Sequence, residues 1–135
     1  MVRYAFASLA LVAGVVAAQA PDSRPTVAVM YFDNGAMGKQ HEDFDALSKG
    51  ISGMLITELA QDQQIRVVER DQLQHLMDEQ NIDPKRVDQS TAVRLGKLLG
   101  AHHMIFGAFV TDPSGRMILT SRAVNVETSQ VEYVA

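Results

Sequence analysis

The chain has 135 residues, room for one compact domain with one core and too little for two ordinary domains. Hydrophobic residues make up 47% and charged residues 21%, a globular mix that excludes a disordered tail and a multi-span membrane protein. The lack of cysteine excludes a disulfide framework, a thiol nucleophile, a thiolate metal site and a cysteine-linked lipid, and a formal charge of −4 excludes a global basic field for nucleic acid or acidic lipid.

The amino terminus carries Arg3, then an apolar or small run over residues 4–18, then polar Pro21, Asp22 and Ser23. A positive residue, an apolar stretch and small residues in that order predict a secretory signal peptide over residues 1–20. At fifteen residues the run is shorter than the ~20 that a membrane-spanning helix needs. Cleavage is expected after Ala18 or after Ala20. The second site has the A-x-A form but leaves Pro21 beyond the scissile bond. Residues 21–135 are then expected to form one exported, periplasmic domain.

Residues 26–32 (T-V-A-V-M-Y-F) are nearly all apolar and end at Asp33, Asn34 and Gly35, which predicts a strand buried on both faces. Residues 35–41 read as a polar surface loop. From Glu42 the period changes: Phe44, Leu47, Ile51, Leu55 and Leu59 fall on one helical stripe, with Glu42, Asp43 and Asp45 in the first turn. Gly50 and Gly53 weaken that helix by roughly 1 kcal/mol each and suit the close approach of another element.

A short strand is expected over residues 65–68. Asp71 with Gln74 resembles a capping box, and Leu73, Leu76 and Met77 give the next helix its apolar edge, ending near Asn81 before Asp83-Pro84. Ser90 or Thr91 is expected to cap a further helix bearing Val93, Leu95, Leu98 and Leu99 and stopped by Gly100. Residues 104–110 form a continuous apolar strand, residues 112–115 (D-P-S-G) a tight turn, and residues 117–126 its antiparallel partner. After a turn at residues 127–129, residues 131–135 alternate as a last strand. The fold class is therefore a single α/β (α+β) domain, a mixed and mostly antiparallel sheet with helices packed on it, in the order β-α-β-α-α-β-β-β.

Little in this pattern assembles reactive chemistry. Of His41, His75, His102 and His103 only the last two are adjacent, and neighbours on a strand point to opposite faces, away from a shared metal. The segment 35–39 (G-A-M-G-K) follows a strand, yet it lacks the spacing and the Ser or Thr of a phosphate loop. Glu69, Arg70 and Asp71 are denser, at a strand-to-helix junction where sheet proteins place functional groups, although a salt-bridged cap has the same signature. There is no G-x-S-x-G elbow, H-E-x-x-H pair or acidic calcium loop. No catalytic, metal or cofactor residue is expected, and the chain reads as a non-enzyme.

Several stretches together resemble one family. They are V-A-V-M-Y-F-D-N at residues 27–34, I-T-E-L-A at 56–60, R-V-V-E-R-D-Q-L at 66–73, D-E-Q-N-I at 78–82, T-A-V-R-L-G-K-L-L-G-A at 91–101 and V-N-V-E-T at 124–128. This pattern is similar to the CsgG family of curli assembly and transport components, and to relatives with the same periplasmic α/β domain, the amino-terminal domain of TolB and LpoB-like activators. The resemblance spans about residues 26–135 and implies a non-enzymatic cell-envelope protein working through protein–protein contacts in envelope assembly, curli-type secretion or as an adaptor. CsgG itself carries a lipidated cysteine and amphipathic pore strands; this chain has no cysteine and no inserted alternating segments of barrel length. Ser129 stands where the family usually turns on glycine, His102-His103 where it more often has an acidic-aromatic pair, and the carboxy-terminal portion looks shortened.

The expected partners are other envelope proteins or a second copy of the chain, with no nucleic acid and at most peripheral association with the outer membrane. Candidate partner-binding residues are Glu69, Arg70 and Asp71 at the junction, and Val131 and Tyr133 on the last strand, whose outer edge little sequence follows to cover. The alternative is a small-ligand or nucleotide-binding periplasmic module with its site at Asp33, Asn34 and residues 35–39, since α/β sheets bind ligands at strand carboxyl ends.

Overall fold

A computed structural model describes residues 19–135; the expected signal peptide, up to residue 18, lies outside the described residues. The chain forms β1 (Thr26–Val29), β2 (Asp33–Asn34), α1 (Lys39–Phe44), α2 (Leu47–Leu59), β3 (Arg66–Val67), α3 (Arg70–Glu79), α4 (Gln89–Leu99), β4 (His103–Thr111), β5 (Met117–Asn125) and β6 (Val131–Val134). One mixed sheet has the order β3-β1-β4-β5-β6, with β2 also paired to β4. The pairings of β1 with β3 and β4 and of β2 with β4 are parallel, whereas β4–β5 and β5–β6 are antiparallel. The expected mixed sheet with helices packed on it is what forms.

Helices cover both faces, and β4 feeds both cores. Met104 and Phe106 join Ala28, Met30, Leu73, Met77, Leu95 and Val124 in a core under α3 and α4. Phe109 joins Val29 and Phe32 in a second core, against which Phe44, Leu47, Ile51, Leu55 and Ile105 pack from α1, α2 and the strand itself. The even and odd positions of one strand thus enter opposite layers, as the period of two requires. Among the described residues no helix is long and apolar enough to cross a membrane.

Four sequence expectations need correction. The strand expected over residues 26–32 leaves the sheet after Val29 and returns as β2. Val29 opposes Ile105 but Asp33 opposes Ala108, so this strand spends one residue more than β4 over the interval. Phe32 gives its N–H to the Ser48 carbonyl of α2 at 3.3 Å instead of to the ladder. Its ring lies over Gly107, where an added Cβ would sit 2.7 Å from Phe32 Cε1 and would also collide with the Thr120 carbonyl.

The helix expected from Glu42 starts earlier and breaks in two, because residues 39–41 of the supposed loop already wind into α1. At α4 the cap is Asp88, not Ser90 or Thr91: its Oδ1 accepts the Thr91 N–H at 2.7 Å. Aspartate caps as well as serine does, and it lies two residues before Ser90 and three before Thr91. At α3 the capping box does not form. Glu69 is the N-cap, no side chain caps it, and Gln74 reaches Tyr31 and Asp78 instead. Of the two α2 glycines, Gly53 faces Arg70 while Gly50 faces open space.

Gly100 ends α4 in the left-handed conformation, φ 68, as its position predicts. Ser129 also has a positive φ, 60, between β5 and β6. Two substitutions test these constraints by urea unfolding. Gly107→Ala should lower stability by about 1–3 kcal/mol, because Phe32 and the β5 backbone cannot both give way. Ser129→Gly should raise it by up to about 1 kcal/mol, the left-handed strain relieved less the added chain entropy.

Candidate interaction surface

The strand-to-helix junction is more built than its sequence suggests. The extra residue between β1 and β2 carries Tyr31 towards α3, where its hydroxyl donates to Gln74 Oε1 at 3.1 Å. The Arg70 guanidinium stacks over the Tyr31 ring at 5.0 Å, and Lys49 Nζ lies 5.7 Å from the same ring. Arg70 also donates to Ser52 Oγ at 2.7 Å, which ties the start of α3 to the middle of α2. Half-buried Arg70 is thus committed to holding two helices across the carboxyl end of β1, while exposed Glu69 and Asp71 flank it. Tyr31, Lys49 and Ser52 had no sequence signal, because their meeting depends on the irregularity after Val29.

At the opposite side the sheet outruns its helices. Met117, Ile118 and Leu119 at the start of β5 are all exposed, and Val110, which opposes Ile118, is exposed as well. Consecutive positions face opposite ways, so this end of the hairpin offers apolar side chains on both faces. Three consecutive hydrophobic residues beside a turn, without alternation, were the signal available for it. The turn itself is stiff. Asp112 accepts the backbone N–H groups of Ser114 and Arg116 and pairs with the Arg116 guanidinium at 3.0 Å. Bonds from the Ser114 hydroxyl and the Arg116 backbone hold its carboxyl below the usual aspartate range.

Val131 and Tyr133 lie on β6, opposite Val124 and Ala123 in the second half of β5 and away from the hairpin end, and all four β6 residues are exposed. Tyr133 borders an apolar hollow of about 210 Å³ between Leu55, Ile105 and Ala123. Glu132 turns back over the sheet, where its carboxylate meets His103 Nε2 at 2.9 Å and Asn125 Nδ2 at 3.0 Å. The two groups of candidates therefore form separate surfaces: the junction by β1 and β3, and β6 at the far edge.

The other sequence candidates stay dispersed. His102 Nδ1 accepts the Thr26 N–H at 2.9 Å while His103 turns to Glu132, so the adjacent histidines serve different partners. Among the described residues no three histidine or acidic side chains come together as a metal site. In the 35–39 segment Gly35 N–H goes to Phe109 O and Ala36 N–H to Asn34 Oδ1, which spends two amides that a phosphate cradle would need. Asp33 borders a hollow of about 420 Å³ with Asp88, Phe106 and Arg122, but buried Asn34 is occupied in bracing its own loop through His41 O.

Comparison with known proteins agrees with the fold. Residues 9–112 match the family described as the curli production assembly/transport component CsgG, and the chain belongs to that family. The match ends at the β4–β5 turn, so β5 and β6 lie outside it. A search of the curated proteins found no match. Among solved structures, the LpoB C-terminal domain from Salmonella enterica superposes with a TM-score of 0.65 at 15% identity, covering 82% of this chain and 78% of that one. The LpoB C-terminal domain from Escherichia coli gives 0.64 at 16% identity over the same shares, 82% and 78%. Lipoprotein GNA1162 from Neisseria meningitidis gives 0.64 at 9% identity, covering 82% and 76%. At such identities the likeness is one of fold.

The Glu132 cluster makes a testable statement about pH. Bonds from Asn125 first, then from His103, hold the Glu132 carboxyl below its ordinary value of 4.5. A lowered folded-state value means that these bonds stabilise β6 fully above that ordinary value and lose their effect as pH falls through the lowered one. Carbon NMR of the Glu132 carboxyl should show it still ionised at the ordinary midpoint, and Asn125→Ala should move its titration upward.

Proposed function

We propose that this CsgG-family chain is a non-enzymatic domain of the cell envelope, acting in envelope assembly, curli-type secretion or as an adaptor through protein–protein contacts. In this reading residues 1–20 direct export to the periplasm and are removed after Ala18 or Ala20. The observation that carries it is the exposed apolar end of the β4–β5 hairpin, with the exposed β6 beside the other half of β5. Exposed apolar side chains grouped in this way mark sites that other macromolecules cover. The family description, an assembly and transport component, points the same way.

Charge accords with protein partners. The chain carries −4, and the hairpin end has one ion pair, Asp112 with Arg116, that neutralises itself. Association there is driven by apolar area and bounded by a polar turn, the usual anatomy of a protein interface. The absence of cysteine leaves any membrane association peripheral. Glu69 and Asp71 offer a second, polar surface, with Arg70 holding the scaffold behind them.

A photo-reactive residue placed at Leu119 in cells should form adducts with another protein, while one placed at exposed Asp62 should not. The double variant Ile118→Asp, Leu119→Asp should lose those adducts yet change stability by no more than about 0.5 kcal/mol, as exposed sites do. Equal labelling at both positions, or turnover by purified protein that a single substitution abolishes, would sink the reading. Mass spectrometry of the protein recovered from its host should find Gln19 or Pro21 at the amino terminus.

A further inference from the structure

Most cations among the described residues are committed. Arg24, Lys85, Arg86 and Arg116 pair with carboxylates, Arg66 donates to the Thr26 hydroxyl, and Lys49 and Arg70 lie over the Tyr31 ring. Among the described residues Lys39, Arg94, Lys97 and Arg122 have no such partner. Residues 1–18 hold no acid that could neutralise them, since every Asp and Glu of the chain lies between Asp22 and Glu132.

All but Lys39 fall along one strip. Ser90, Arg94 and Lys97 recur at steps of four and three on α4, which places them on one helical face. They line a hollow of about 600 Å³ that reaches Ser129 in the β5–β6 turn. The hollow of about 420 Å³ that Asp33 borders is lined by Arg122 and Phe106, which oppose each other on β5 and β4. Gln89 lines both hollows, so the two adjoin. Lys97 has a local reason for its charge, the last turn of a helix, but Arg94 and Arg122 have none.

The support beneath the strip is stiff. Gln89 Nε2 donates to the Ser129 carbonyl at 2.8 Å, and Asp88 caps the helix through Thr91. Gly96 lets α4 lie close on the sheet: an added Cβ would meet Val126 Cγ2 at 2.5 Å and Met104 Cγ at 2.9 Å. Cations displayed on a fixed helix cost a partner little ordering entropy.

We propose that this strip receives an acidic segment of a partner protein, its carboxylates on Arg94, Lys97 and Arg122. Guanidinium groups suit carboxylates because the planar fork matches both oxygens. At physiological salt a charge acts over about 8 Å, so the local cations and not the total of −4 decide what binds here. Asp33 and Asp88 also border the second hollow, neither within ion-pair distance of Arg122. A continuous anionic surface, such as a membrane of acidic lipid, is repelled by those two carboxylates. A polypeptide sets acids against the cations and an uncharged residue against Asp33.

This inference rests on the docking role proposed above and adds the chemistry of one partner, at a surface separate from the hairpin end. A photo-reactive residue at exposed Ser90, in the full chain in its host, should form adducts with another protein, and mass spectrometry should place them beside Asp or Glu of that protein. Arg94→Glu and Lys97→Glu should each lower the yield by about threefold to tenfold. Lys39→Glu, the same change of charge outside the strip, should leave it alone. Circular dichroism checks that each variant is folded. Should the Arg94 and Lys97 variants fail to fold, salt decides on the natural residues: in isolated envelopes the yield should drop about threefold or more on raising salt to about 0.5 M, and an unchanged yield overturns the proposal. Adducts with lipid, adducts beside no acidic residue, a folded Arg94→Glu variant with unchanged yield, or no adduct at Ser90 also overturn it. Adducts at Leu119 with none at Ser90 would leave the docking role standing and remove only the acidic partner; none at either position would remove both.

Discussion

The alternation of side chains along β4 is the constraint on which the rest of the molecule hangs. This strand pairs in parallel with β1 and β2 on one side and antiparallel with β5 on the other. Its residues also alternate between two helical layers: Met104 and Phe106 enter the core of α3 and α4, Ile105 and Phe109 that of α2. A shift of one residue would exchange the two sets and place each in the wrong core. Nine paired positions with β5 leave no freedom for such a slip.

The irregularity after Val29 is the second fixed point, and it depends on the first. Three residues span what β4 covers in two, and the surplus sends Met30 and Phe32 into opposite cores while Tyr31 swings to α3. Gly107 makes this possible, since any side chain there would occupy the space of the Phe32 ring. The result joins α2, β1 and α3 through Tyr31, Arg70 and Ser52. Arg70 thereby loses the mobility of a surface arginine and becomes part of the frame that displays Glu69 and Asp71.

Helical cover ends near β4, and that determines what the molecule can offer to others. The first half of β5 and all of β6 are exposed, yet they hang from a strand anchored in both cores. An apolar ledge on a rigid support loses little conformational entropy when a partner covers it. Reactive groups, in contrast, are kept apart by the same geometry: each of the adjacent histidines is taken up by a separate bond, one to the backbone of β1 and one to Glu132.

How much of this was legible in advance follows from the range of the interactions involved. Local chemistry by itself determined the element types and order, the stop at Gly100, the tight turn before Met117 and the mixed sheet, because periodicity and turn residues act within a few positions. The family resemblance was legible too, since it rests on those same local patterns. Tertiary structure alone decided the register slip after Val29, the choice of Asp88 over Ser90 or Thr91 as a cap, the stacking of Arg70 on Tyr31 and the turning of Glu132 onto His103. Each joins segments distant in sequence or selects among equivalent local options, and only the packing of two cores against one strand supplies the energy difference that chooses between them.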